Sequence, residues 1–324
     1  MSKGILIEAK LILNKRFPPH TPEVKFGRYL IRPVPSSSPT ETEAIFSFTN
    51  TYESSAGGSH PEGEVDIVCR FLSVVFDTRV KKAGIRINEI DIPTIETPEK
   101  NRYPQFFGVF DPTQINDYFT RVLSLDEDLA RQFIRATHAY SFALEFIPSD
   151  PTFAFFLLVV AIECMSSQKK IIPFSELDLD SKKCERFCRF ITSFLPDEYK
   201  GDDERNKELF NDLLKTIYYS HRSGFAHGGK EVSSAALLLA DKAGSSYFKH
   251  TIEGKEVRTP GLVWFARMVR GAILGYIGSL PQAPPTADEE LFSRLAYEKA
   301  GLMVKVKKDL KKGQVVTFED VEYR

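Results

Sequence analysis

The feature that most constrains the fold is a run of ten apolar residues, FAFFLLVVAI, at residues 153–162. It follows Asp150-Pro151, a pair that favours a helix start because proline is tolerated in the first turn. A helix that is apolar nearly all round has to be covered by protein on every side. The run stops at Glu163 and is shorter than the roughly 20 residues that a bilayer span needs. We therefore expect this helix at the centre of a helical bundle.

Amphipathic helices are predicted around this central run. Residues 125–146 have acidic residues in their first turn and Pro148 after their last, which favours one long helix. Its predicted buried stripe is Leu129, Phe133, Ala136, Tyr140 and Leu144. Further helices are predicted over residues 181–194, 202–219, 230–239 and 260–280. Residues 116–282 are thus predicted to form an all-α domain, with residues 242–260 as an irregular, glycine-containing insert.

Residues 1–115 are instead predicted to form a β-rich domain. Strand-forming residues dominate residues 24–34 and 44–52, while residues 5–13 hold either a strand pair or one long strand. Apolar residues recur at helical spacing in EVDIVCRFLSVVF, so a helix is favoured there. GIRINEIDI alternates and predicts a strand. The aromatic string YPQFFGVFDP at residues 103–112 is expected at the junction between the domains. The predicted fold class is therefore α+β.

Residues 283–324 are predicted to form a linker, a short helix and a C-terminal β-hairpin. The linker PQAPPTAD is rich in proline, and LFSRLAYEKA has a helical pattern. The sequence DLKKGQVVTFEDV near the end resembles the opening of SAF domains, the β-clip modules of sialic acid synthases. About 20 residues match, which is too few for a complete module, so this resemblance implies no function.

Composition argues against nucleic-acid binding through overall positive charge and against a cysteine-based metal site. The formal net charge is -1, so any nucleic-acid contact has to come from a local basic patch rather than an overall field. Cys184 and Cys188 lie one helical turn apart, but no second Cys/His pair at suitable spacing completes a metal site. We expect reduced, structural thiols at these positions and at Cys69 and Cys164. The first residues lack a sustained apolar region, and we expect a cytoplasmic protein without a membrane segment, metal or cofactor.

The candidate site is the sequence KTIYYSHRSGFAHGGK at residues 215–230. It brings Arg222 and His227 to the end of a predicted helix, where Gly228 and Gly229 favour a stop. On an ideal helix five residues correspond to about 140° of rotation, so the two side chains would diverge. A frayed or tightened turn at Ser223-Gly224 would let both reach one cleft. A histidine that exchanges protons and an arginine that stabilises phosphate charge suit RNA cleavage without a metal.

Glu163 is a second candidate because it is the only charge between Asp150 and Lys169. A buried carboxylate needs a cationic partner, and the predicted partner is Arg222. The open alternative is a solvated carboxylate at the helix edge. Arg131 and His138 form another Arg/His pattern, which is interpreted as a helix surface because no break lies between them.

The string RSGFAHGG after IYYSH resembles the Arg-(x4–6)-His signature of the HEPN superfamily, most closely its Apea-like branch. The resemblance covers roughly residues 123–280. It implies a helical bundle that forms a homodimer and acts as a metal-independent endoribonuclease in toxin–antitoxin or anti-phage defence. Its expected catalytic residues are Arg222, His227 and Glu163, with His221, Ser223 and Lys230 as substrate contacts. The alternatives are a non-catalytic module that binds RNA or nucleotide, and a structural partner in a defence complex.

Overall fold

The protein has a mixed α+β fold with an antiparallel sheet at its N-terminal end. The structure is a computed structural model, and it describes residues 5–13, 15, 17–18, 20–34, 42–50, 61–87, 90–93, 112–168, 170–172, 183–197, 204–222, 247–252, 255–284, 291–300, 305–306 and 321–322. None of the helices in these ranges has the length and apolarity needed to cross a membrane.

Six antiparallel strands form the sheet in the order β2-β3-β4-β1-β5-β6. The strands are β1 (Ile5–Leu13), β2 (Val24–Phe26), β3 (Tyr29–Val34), β4 (Thr42–Asn50), β5 (Val80–Ile87) and β6 (Ile90–Pro93). Alternate residues of β1 and β4 are buried, which gives the sheet one apolar face. Helix α1 (Pro61–Phe76) connects β4 to β5 and packs on the sheet, as its helical spacing predicts.

The strand predictions were right in type but incomplete in detail. Residues 5–13 form one long strand rather than a pair. Residues 24–34, where strand-forming residues dominate, form the hairpin β2–β3, which turns at Gly27-Arg28. Gly27 has φ +52, and a Cβ there would lie 2.4 Å from Cε1 of Phe119, so both conformation and space favour glycine. GIRINEIDI likewise belongs to two strands, β5 and β6.

The helical layer follows the sheet in the chain. Its helices are α2 (Gln114–Val122), α3 (Glu127–Phe146), α4 (Pro151–Ser166), α5 (Lys183–Phe194), α6 (Glu204–Thr216), α7 (Leu262–Ser279) and α8 (Leu291–Ala300). Local chemistry sets two of the starts: Asp126 accepts a hydrogen bond from the Leu129 amide, and Asp150 accepts one from the Phe153 amide. Helix α4 contacts α3, α5 and α7, which confirms the predicted central position of the apolar run.

One prediction about this layer was wrong. Residues 242–260, expected to be an irregular insert, contain the hairpin of β7 (Tyr247–Ile252) and β8 (Lys255–Pro260). At the C-terminal end, Lys305–Val306 (β9) and Val321–Glu322 (β10) pair antiparallel.

The hydrophobic core is continuous between the sheet and the helices. Phe119 of α2 contacts Phe26 of β2, with ring centroids 5.3 Å apart, and Phe292 of α8 at 5.6 Å. Arg270 of α7 donates to the carbonyl oxygens of Val74 and Val75 at the end of α1, both at 2.7 Å. The division at residue 115 stays a prediction, because residues 94–111, including most of the aromatic string, lie outside the described ranges.

Candidate functional site

A change of helix type marks the segment that carries the candidate motif. Helix α6 ends at Thr216, and Ile217–Arg222 continues it as a π-helical turn. Such turns, with hydrogen bonds from residue i to i+5, are rare and frequently occur at functional sites. We expected a tightened or frayed turn at Ser223-Gly224. Ser223 and Gly224 lie outside the described residues, so that expectation stays a prediction. Before them the backbone widens into a π-helical turn from Ile217 to Arg222.

Tyr218 anchors this turn on the central helix. Its side chain is 4% exposed, and its hydroxyl donates a 2.8 Å hydrogen bond to Oε1 of Glu163 on α4. Its ring also packs against Phe187 of α5, with centroids 5.4 Å apart. A buried tyrosine hydroxyl usually needs a partner of this kind. Glu163, a partly buried carboxylate, therefore lies directly beside the turn that carries Arg222.

The predicted site residues divide into three groups. Glu163 contacts the π-helical turn through its hydrogen bond with Tyr218. His221 and Arg222 are placed by their backbone on that turn. Ser223, His227 and Lys230 lie outside the described residues. The pairing of Glu163 with Arg222, and of Arg222 with His227, stays a prediction.

Tyr218 was missed as a site residue because its helical spacing after Leu213, Leu214 and Ile217 identified it only as part of an apolar stripe. Its hydroxyl was the available signal. A buried hydroxyl and an isolated charge in a neighbouring apolar helix each need a polar partner, and Glu163 is such a charge.

The other Arg/His pattern has a different setting. Arg131 forms ion pairs with Glu127 and Asp128 on its own helix, and its side chain is 39% exposed. His138 stacks on Phe142 with ring centroids 4.5 Å apart. Both lie within the regular helix α3. These contacts make the pair a suitable control for experiments on Arg222 and His227.

The sequence KKCERFCR predicts a solvated basic face on α5 formed by Lys182, Lys183, Arg186 and Arg189, and this prediction was partly wrong. Arg186 is 6% exposed and belongs to the buried residues. Arg189 is exposed and pairs with Glu185 one turn away, and Lys183 is also exposed. Lys182 lies outside the described residues. The charge of an arginine alone does not indicate its exposure, because its long stem packs readily against apolar surface.

Two thiols lie beside the π-helical turn. The Sγ atoms of Cys184 and Cys188 on α5 are 4.0 Å apart. The hydrogen bond between the two thiols holds the pKa of Cys184 below its ordinary value, and the Tyr219 hydroxyl adds to this effect. The same Cys184–Cys188 hydrogen bond, together with burial, raises the pKa of Cys188. Charge repulsion from Cys184 raises the pKa of Tyr219.

Neither a metal-binding group among the described residues nor a known relative identifies the role of this region. Within the described ranges, no group of three or more His, Cys, Asp or Glu residues could hold a metal ion. No protein-family model matches the chain, and no curated protein or solved structure matches it significantly.

Proposed function

We propose that the protein is a HEPN-type, metal-independent endoribonuclease that acts as a homodimer. The observation that carries the proposal is the hydrogen bond between Tyr218 and Glu163. It attaches the π-helical turn, and with it the backbone of Arg222, to a carboxylate on the central helix. The sequence then continues through Ser223 to His227 and Lys230 within eight residues of Arg222.

The proposed chemistry is a transesterification within the RNA strand. The 2′-hydroxyl loses its proton and attacks the phosphorus, the bond to the 5′-oxygen breaks, and the 5′-oxygen takes up a proton. The products are a 2′,3′-cyclic phosphate end and a 5′-hydroxyl end, and no water is consumed. A histidine can supply either proton transfer near neutral pH.

Each residue has a separate task in this proposal. His227 exchanges protons, and a second His227 from the partner copy supplies the opposite transfer, since one imidazole cannot be acid and base at once. Arg222 stabilises the extra negative charge on the phosphate. Glu163 orients the guanidinium of Arg222, while His221, Ser223 and Lys230 contact the substrate.

The N-terminal sheet would select the RNA or sense a trigger. This role would suit the toxin–antitoxin or anti-phage defence that the family resemblance implies. Its support is the continuous core between the sheet and the helices. Arg270 of α7 also donates hydrogen bonds to the end of α1, which packs on the sheet, so the two layers are in direct contact.

The experiment is incubation of the purified protein with mixed RNA in EDTA. We expect cleavage by the wild type, and a loss of at least about 100-fold in His227→Ala and Arg222→Ala. Arg131→Ala and His138→Ala, which alter the other Arg/His pattern, should retain activity. RNA or nucleotide binding without cleavage would instead support the non-catalytic module, and the absence of both would reject RNA as a ligand.

A further inference from the structure

The side chain of Tyr219 is exposed at the surface of the π-helical turn. Its relative exposure is 59%, and in the described part of the chain the other exposed large hydrophobic residue is Leu6 on β1. Tyr219 precedes Arg222 by three residues on the same turn. An aromatic ring that is open to solvent therefore lies directly beside the segment that carries the candidate motif.

Two contacts hold this ring in place despite its exposure. The Tyr219 hydroxyl donates a hydrogen bond to the sulfur of Cys184 on α5. The ring packs at right angles against Tyr218, with centroids 5.9 Å apart and an interplanar angle of 87°. Tyr218 is fixed in turn by its hydrogen bond to Glu163. A ring held in this way loses little conformational freedom when a flat ligand stacks on its exposed surface, so it is preorganised for binding.

A cation borders the same surface. Lys215 lies four residues before Tyr219, in the last turn of α6, and its side chain is 61% exposed. Its charge acts on Cys184, which also accepts the hydrogen bond of the Tyr219 hydroxyl, so both side chains lie beside α5. Lys215 pairs with Asp212 at 3.9 Å, but an ion pair this exposed is weak and is screened by salt. A phosphate can therefore replace Asp212 as the partner of Lys215.

An exposed ring beside a cation suits an unpaired nucleobase and its phosphate. Proteins that bind single-stranded RNA stack bases on aromatic side chains, whereas the bases of a duplex are already stacked on one another. Three residues of chain span at most about 11 Å, so a base on Tyr219 and a phosphate at Arg222 would belong to the same or neighbouring nucleotides. A protein partner could also cover an exposed tyrosine, but Lys215 and the closeness of Arg222 favour RNA.

We propose that Tyr219 stacks one unpaired base of a single-stranded RNA and that Lys215 binds an adjoining phosphate. The inference rests on the proposed ribonuclease function for its choice of ligand. It adds the substrate class, which is RNA that is unpaired next to the scissile phosphate. The subsite binds and positions the strand, and no bond forms or breaks there.

Binding of a single-stranded RNA with 2′-O-methyl groups separates this proposal from cleavage, because such a strand lacks the attacking hydroxyl. Fluorescence anisotropy of the labelled strand measures its dissociation constant with the full chain. Tyr219→Leu should weaken binding at least about fivefold, and Tyr219→Phe, which keeps the ring, should stay within about threefold of the wild type. Phe142→Leu is the matched control: it removes a partly exposed ring from α3 and should bind like the wild type. Circular dichroism spectra would verify that each variant is folded.

Salt dependence tests the contact of Lys215 with a phosphate. The affinity for a single strand falls with salt concentration in proportion to the number of phosphates that the protein contacts. Lys215→Gln should therefore reduce the slope of log K against log salt by about 0.7, and Tyr219→Leu should leave the slope unchanged. A duplex of the same sequence should bind the wild type at least about fivefold more weakly than the single strand.

Three binding results would overturn the proposal: no binding of the 2′-O-methyl strand by the wild type, equal affinity of the wild type and Tyr219→Leu, or duplex binding as tight as that of the single strand. A changed oligomeric state of Tyr219→Leu in sedimentation, with unchanged RNA affinity, would assign the ring to a protein contact instead.

The same measurements distinguish this subsite from the enzyme. Binding that depends on Tyr219, without cleavage of unmodified RNA, would support the subsite and reject the ribonuclease. Cleavage by the wild type, with equal affinity of the wild type and Tyr219→Leu, would support the ribonuclease and reject the subsite.

Discussion

The hydroxyl of Tyr218 and the carboxylate of Glu163 lie 2.8 Å apart and connect the π-helical turn to the centre of the helical layer. The bond joins residues 55 positions apart in the chain. It therefore positions the π-helical turn, which carries the backbone of His221 and Arg222.

Tyr218→Phe should weaken both stability and the proposed activity. Loss of the hydrogen bond should lower the free energy of unfolding by about 1 kcal/mol. RNA cleavage should fall by about tenfold or more, because the turn loses its attachment to Glu163. Urea unfolding and cleavage rates test the two effects. Tyr276→Phe, which removes a tyrosine hydroxyl from α7, is the control, and an equal loss of cleavage in both variants would contradict the account.

Close contact between α7 and the end of α5 should make Gly275 intolerant of a side chain. A Cβ at Gly275 would lie 1.8 Å from the carbonyl oxygen of Phe194, whereas a Cβ at Gly278 has nothing within 4 Å. Gly275→Ala should destabilise the protein by about 1–3 kcal/mol or more, because backbone has to move. Gly278→Ala should stabilise it by about 0.4–1 kcal/mol. Thermal unfolding of the two variants provides the comparison, and a stabilising Gly275→Ala would show that the helices are further apart.

The buried ion pair at the sheet should be costly to break from one side. Glu64 on α1 is 1% exposed; it pairs with Arg28 and accepts a 2.6 Å hydrogen bond from the Tyr29 hydroxyl. Glu64→Ala leaves the largely buried Arg28 without this carboxylate and should cost about 3–5 kcal/mol. Glu62→Ala, which removes an exposed acid from the same first turn, should change stability by less than about 0.5 kcal/mol. Similar urea midpoints for the two variants would be inconsistent with this description.

The contribution of Lys15 to stability should increase with pH in the alkaline range. Burial lowers the pKa of Lys15 below its ordinary 10.5, although Asp77 opposes the shift. Between the lowered value and 10.5 the unfolded chain binds more protons than the folded one, so this group's contribution to stability rises with pH. Lys15→Met should remove that rise, while Lys10→Met, at an exposed residue paired with Glu43, should retain it. Unfolding free energies measured from neutral pH to about 10.5 would test this, and parallel curves for wild type and Lys15→Met would contradict it.

Local signals in the sequence predicted α1 and α3 to α8, while the helix predicted over residues 230–239 lies outside the described residues. The acidic caps Asp126 and Asp150, and Pro151 in the first turn of α4, set helix starts through contacts within three residues. The apolar run of α4 likewise determines its central position, although Phe153, Phe156, Leu157 and Val160 on one side of the helix stay partly exposed. These features depend on neighbouring residues and on burial alone.

Features that depend on distant contacts could not be predicted in the same way. Residues 24–34 have strand-forming composition throughout, and the turn at Gly27 depends on Phe119, which lies far along the chain. The burial of Arg186 depends on how α5 packs. At the candidate site, the isolation of Glu163 indicated a polar partner, but the identity of Tyr218 required the packing of α4 against the π-helical turn.

The most direct test of the central claim is analysis of RNA ends after incubation in EDTA. Mass spectrometry of the products should find 2′,3′-cyclic phosphate and 5′-hydroxyl ends with the wild type, and neither product above background with His227→Ala. Intact RNA with the wild type, or the same ends with His227→Ala, would contradict the assignment of this chain as a metal-independent endoribonuclease.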